Sequence, residues 1–83
     1  MNWEKWGKDS WINKSIKPRQ ILRIVRIPQI LGRCEYLYNI RVEERFGTKY
    51  KIIAKDIEKK REAIKVAKRF MRENSKGIEL WLN

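Results

Sequence analysis

Eighty-three residues make one domain with a thin core, because a chain this short buries only roughly 60% of the surface its unfolded form exposes. An apolar fraction of 42% is enough to fold and argues against disorder, while 21 Lys+Arg against 10 Asp+Glu leave a net +11 that opposes compaction by self-repulsion. The absence of histidine removes the commonest general base and metal ligand, and the surplus of cations points to an anionic partner: DNA, RNA, an acidic protein surface or a membrane face.

Residues 1–18, "MNWEKWGKDSWINKSIKP", form a Trp-rich N-terminal segment or arm. Trp3, Trp6 and Trp11 fit two readings. In one, a short irregular segment or helical turn lays its indoles over an open edge of the core. In the other, the segment orders on a partner, with Lys5, Lys8 and Lys14 interleaved among rings that stack on bases or fill a protein groove. Residues 19–83 make up the expected nucleic-acid-binding-like domain. Within it "QILRIVRI", residues 20–27, is β-branched and stops at Pro28, which favours a strand, while Ile21, Ile24 and Val25 also lie at helix spacing and keep a helix as the alternative. Both of its parities carry apolar residues and arginine, which leaves the inward face open. "PQILGR" is an irregular connection around Gly32.

Residues 34–45, "CEYLYNIRVEER", alternate more cleanly. Tyr36, Tyr38, Ile40 and Val42 share one parity and should face the core; Asn39, Arg41, Glu43 and Arg45 share the other. Phe46-Gly47 is expected to form the hairpin turn, with Gly47 supplying a positive φ. In "TKYKIIAK", residues 48–55, the same alternation sends Tyr50, Ile52 and Ala54 inward and Lys49, Lys51, Ile53 and Lys55 outward. Asp56 is the expected N-cap of a helix running to about Asn74, with Glu58 in its first turn. Ile57, Ala63, Ile64, Val66, Ala67, Phe70 and Met71 give that helix an apolar stripe, and lysine and arginine fill the rest. Gly77 is placed at C′. "IELWL", residues 78–82, reads as a last short strand. The expected fold is therefore α+β: an antiparallel sheet in the order β-β-β-α-β, with one amphipathic helix packed on one face.

Little in the chain can do covalent chemistry. Cys34 is alone, so it has no disulfide partner and no zinc-ligand set, and no histidine is present to activate it. It reads as a small, partly buried residue at a strand start. No phosphate-cradling glycine loop or catalytic triad appears, and the adjacent Glu43 and Glu44 point to opposite faces of a strand. A non-enzyme without cofactor or metal is expected. No apolar run approaches the ~20 residues that span a bilayer. The N-terminus lacks the apolar stretch of a signal peptide. A cytoplasmic setting without membrane contact is the expectation.

A sheet covered on one side leaves the other open. Arg41, Arg45, Lys49, Lys51 and Lys55, together with Asn39 and with Arg23 of the first strand, are the candidate contacts to nucleic acid. Like charges opposite one another on a sheet are destabilising, so the set makes most sense facing an anion. Strands of this size fit the DNA major groove. There Arg41 and Arg45 can read guanine, Asn39 can pair with adenine, and the lysines can hold phosphates.

"EYLYNIRVEERFGTKYKIIAKDIEKKREAIKVAKRFMRE", Glu35 to Glu73, resembles the three-stranded-sheet-plus-helix DNA-binding domains of phage-integrase N-termini and of plant ethylene-response-factor proteins. The shared features are an aromatic alternating strand, a Gly-containing turn, a basic strand and a helix with an "EA" step, here Glu62-Ala63. The resemblance covers about half the chain, and Asp56-Ile57 replaces the aromatic and threonine that usually lead into the helix. It implies that the sheet face enters the major groove and that Arg41, Arg45, Lys49 and Lys51 carry DNA contact. The expected function is thus duplex-DNA binding through the open sheet face. The alternative is a small basic adaptor or inhibitor, of the kind mobile elements carry, that docks on an acidic protein surface through its tryptophans. RNA is the third candidate partner.

Overall fold

The computed structural model describes residues 2–32 and 35–80. Five strands precede one helix: β1 (Trp3–Gly7), β2 (Ser10–Asn13), β3 (Gln20–Pro28), β4 (Tyr36–Glu44), β5 (Tyr50–Ile57) and α1 (Lys60–Glu73). They form one antiparallel sheet in chain order, β1-β2-β3-β4-β5. The fold is α+β, with the helix across one face as the alternation implied. The order differs from expectation, because among the described residues the helix is the last regular element.

The "IELWL" segment explains the difference. Ile78 to Leu80 have no regular structure, and residues 81 and 82 of the expected strand lie outside the described residues, as does Cys34. The alternation in this tail does report burial, since Leu80 is only 9% exposed. Its backbone is satisfied by a side chain rather than by a ladder. The Gln20 amide donates to the carbonyl of Ile78, and its Oε1 accepts from the N–H of Ile78 at 3.0 Å. One glutamine thereby does what a neighbouring strand would do for that residue.

The N-terminal segment is neither a helical turn nor a free arm but a hairpin. Trp3 pairs with Asn13 and Lys5 with Trp11, and β2 continues onto β3 through Trp11↔Leu22 and Ile12↔Ile21. Trp3 and Trp11 enter the core, as the packing reading required. The Trp3 ring meets Phe70 of the helix edge-on at 6.4 Å, and its Nε1–H donates to the Asn74 carbonyl at 2.9 Å.

The long β3–β4 pair fixes which face is which. Leu22↔Val42 and Ile24↔Ile40 point to the helix, and Arg23↔Arg41, Val25↔Asn39 and Ile27↔Leu37 point away. Leu22, Ile40 and Val42 are fully buried, together with Ala63, Ala67 and Met71 of the helix. Alanines at positions four apart let the helix backbone approach the sheet, and each large side chain so buried contributes about 1.5–3 kcal/mol.

β5 departs from simple alternation. Its register against β4 shifts twice, between Tyr38 and Ile40 and between Ile40 and Arg41. These are β-bulges, each of which inserts an extra residue and reverses the parity of the strand beyond it. Ala54 faces the helix as expected, opposite Ile40, but Lys51 lies opposite Val42 and so points to the helix side. Tyr50 and Ile52 pair with Glu43 and Arg41 and therefore stand on the open face, the reverse of the simple pattern.

The bulge opposite Tyr38 and Ile40, between Ala54 and Ile57, also removes Asp56 from its expected role. Asp56 is still in the strand, with φ of 59°, and its N–H donates to Asn39 Oδ1 at 3.1 Å. The N-cap is Lys59, in extended conformation and without a side-chain cap bond; Glu62 is the acid in the first turn. At the other end Asn74 is the C-cap, so Gly77 lies beyond C′. Glycine is required there for a different reason. Gly77 has φ of 77°, and a Cβ would fall 2.3 Å from Ile16 Cδ1.

Candidate nucleic-acid interface

The open face is organised around one carboxylate and three guanidinium groups. Arg23 and Arg41 are direct cross-strand partners, an arrangement that repels on its own. Glu43 relieves it. Its carboxylate accepts from Arg23 Nη2 at 2.9 Å and lies 3.3 Å from Arg41 Nη2. Arg45 comes one sheet-face position beyond Glu43, its backbone N–H donating to the Arg19 carbonyl at 2.8 Å.

Aromatic rings lie near all three guanidinium groups. Arg41 lies 4.5 Å from the centroid of Tyr50. Arg45 sits between two rings, 5.4 Å from Trp6 and 4.7 Å from Phe46. Arg23 lies 6.0 Å from the Trp6 centroid, the outer limit of a cation–π contact. The Nε atoms of Arg23 and Arg41 are buried without an acceptor.

The same side chains shelter a second, small apolar patch. Ile12 and Ile21 point to the open face, yet they are 1% and 3% exposed and lie outside the main core. Trp6, Arg23, Glu43 and Arg45 are their neighbours on that face. The face is therefore a packed layer carrying charge at its surface, with three cations against one anion.

The turn after β4 presents an aromatic to solvent. Phe46, not Gly47, takes the positive φ, at 61°, and its side chain is 94% exposed. Gly47 lies close to the Glu44 carboxylate, where a Cβ would require only that this flexible side chain move aside.

Of the seven residues expected at the interface, Arg23, Arg41, Arg45 and Asn39 are on the open face. The side-chain oxygen of Asn39 is engaged by the Asp56 bulge, so the residue holds β5 rather than standing ready for a base. Lys49 and Lys51 are not on this face. Lys51 shares the side of Val42, and Lys49 lines a cleft on the helix side with Glu44, Lys17 and Lys76. Lys55 is exposed on the bulged edge strand. Glu43, Phe46 and Tyr50 lie on or at the edge of this face and were not among the sequence candidates, while Trp6 was one only within the base-stacking reading of the N-terminal segment. Tyr50 was hidden by the bulge. Trp6 was legible only if Gly7-Lys8-Asp9 were read as a hairpin turn, which places Trp6 on the opposite parity to Trp3 and Trp11.

Among the described residues no group of three or more Asp, Glu, Cys or His could hold a metal ion, and no helix is long and apolar enough to cross a membrane. No family model, curated protein or solved structure matches the chain.

Proposed function

We propose that this protein binds nucleic acid, with duplex DNA as its ligand, through the open face of the β3–β4–β5 sheet. The observation that carries the reading is the line of three aromatic-backed guanidinium groups, Arg23, Arg41 and Arg45, on a face that the helix leaves uncovered. A guanidinium beside an aromatic ring loses less freedom than a free one when it forms a bidentate contact with guanine O6 and N7. Glu43, paired with Arg23 and Arg41, restrains two of the three. A major groove about 12 Å wide admits a two-stranded ribbon, and β3 and β4, nine residues each, form one. The run β3–β4–β5–α1 also has the strand and helix order of the integrase and ethylene-response-factor domains that the sequence resembles.

In this reading Arg41 and Arg45 read bases, Arg23 supports them, and Lys55 contacts phosphate. Phe46, exposed at the edge of the face, stacks on a base or sugar. The test is amide chemical-shift mapping with duplex DNA, single-stranded DNA and duplex RNA. Duplex DNA should shift the amides of Trp6, Arg23, Arg41 and Arg45 most. Shifts confined to the helix, or a larger response to either other ligand, would count against this reading.

A protein-interaction module is the second reading. Trp3 and Trp11 do not favour it, since they are core residues. The exposed apolar pair Ile30 and Leu31, 98% and 92% accessible at the β3–β4 connection, does. Substituting both with serine separates the readings, because DNA binding through the sheet face should survive.

A further inference from the structure

The helix carries a second cationic surface on the opposite side of the molecule, and it is not neutralised in the way the sheet face is. Lys65, Lys68 and Arg72 are exposed and have no ion pair among the described residues; Arg69 has only a 3.9 Å contact with Glu73. Their spacing makes the surface unfavourable in isolation. Lys65 and Lys68 are three residues apart, and Lys65–Arg69 and Lys68–Arg72 are four apart. Like charges at those separations each destabilise a helix by about 0.2–0.5 kcal/mol. Glu62 is the one acid beside them in the depression they line with Val66. A multivalent anion along the helix would remove that repulsion.

We propose that the protein bridges two nucleic-acid segments, one on the open sheet face and a second on the outer face of α1. The inference rests on the proposed nucleic-acid reading of the sheet. The helix lies across the other side of the sheet, its Ala63, Ala67 and Met71 turned inward, so its lysines point away from Arg23, Arg41 and Arg45. The Cα atoms span 40 × 25 × 20 Å. Two ligands on opposite faces are therefore separated by at least the smallest of those dimensions, whereas the Debye length is about 10 Å at 0.1 M salt. Mutual repulsion of two duplexes held this way is largely screened. The total of +11 leaves charge for both faces. A helix of 14 residues, about 21 Å long, presents its cations at roughly 6 Å intervals, which suits phosphate contact without base reading. An acidic protein partner would instead be expected to use the apolar hairpin tip.

The experiment captures a fluorescent duplex on beads that carry a second, unlabelled duplex, at 0.1 M salt, with single-duplex affinity measured separately by anisotropy. The full chain should capture the fluorescent duplex. Lys65→Gln/Lys68→Gln/Arg72→Gln should lose capture at least tenfold while its single-duplex affinity falls less than threefold. A charge-matched control, Lys17→Gln/Lys49→Gln/Lys76→Gln, should still capture. Equal capture by the helix variant and the full chain overturns the proposal, including the case in which a dimer bridges through two sheet faces. Single-duplex binding without capture overturns bridging alone. Absence of single-duplex binding overturns the sheet reading as well.

Discussion

Glu43 is the single residue on which the open face most depends, and Glu43→Gln isolates its charge with little change of shape. It bridges Arg23 and Arg41 at 2.9 and 3.3 Å, with the three side chains between 24% and 43% exposed. At that exposure each ion pair is worth about 0.2–1 kcal/mol. Its loss also leaves two arginines directly opposite one another, which adds a repulsion of about 0.2–1 kcal/mol. The sum is a destabilisation of about 0.6–3 kcal/mol, centred on about 1–2 kcal/mol. For a domain of this size each kcal/mol lowers Tm by about 4–8 °C, so thermal melts followed by circular dichroism should show a fall of about 5–15 °C at low salt. In 1 M salt the Debye length is about 3 Å and the arginine repulsion fades, so the gap between variant and parent should narrow. Glu44→Gln, one residue along and on the other face, should stay within about 0.5 kcal/mol of the parent. An unchanged Tm for Glu43→Gln, or a deficit that is the same at both salt concentrations, would refute the view that this carboxylate holds the guanidinium pair.

Other substitutions probe the remaining parts. Met71→Ala, at a fully buried helix position, should lower stability by about 2–5 kcal/mol, read as a shift in the urea midpoint. Trp3→Ala should unfold much of the population, a loss of about 3–5 kcal/mol, whereas Trp6→Ala, at a 45% exposed site, should leave a folded protein with weaker DNA binding. Phe46→Gly removes a side chain from a residue with φ of 61° and should stabilise the fold by about 1 kcal/mol while reducing affinity, separating stability from function in one variant. Gly77→Ala should cost about 1–3 kcal/mol, because both its φ and the contact with Ile16 and Gln20 exclude a Cβ.

The parts of this fold that could be read from the sequence are those where one rule acted alone. Tyr38, Ile40 and Val42 alternate without interruption, and the structure places all three on the helix side. Ala63, Ala67 and Met71 follow the helical period and form the buried stripe. Where two rules competed, the pattern misled. Two bulges reset the parity of β5, so Lys51 and Tyr50 exchanged faces, and the extra residue pulled Asp56 out of the capping position into the strand. Nothing in "TKYKIIAKD" marks a bulge, because the left-handed residue is Asp56 rather than glycine. The closing segment alternates like a strand because one side of it is buried, but periodicity reports burial and not hydrogen-bond partners. Gln20 supplied those. In the site, arginines on β3 and β4 were visible as candidates, but their aromatic backing was not, since Trp6 and Phe46 reach Arg45 from a separate hairpin and from a turn.

The most direct measurement of the central claim is a salt titration of duplex-DNA binding, by anisotropy of a labelled duplex, for the parent and for Arg41→Ala/Arg45→Ala. If binding neutralises roughly six phosphates, affinity should fall about a thousandfold between 50 and 200 mM salt. The double variant should bind more weakly throughout and discriminate less between duplex sequences. A flat salt response, or a double variant that binds as the parent does, would contradict the assignment of function to the open face of the sheet.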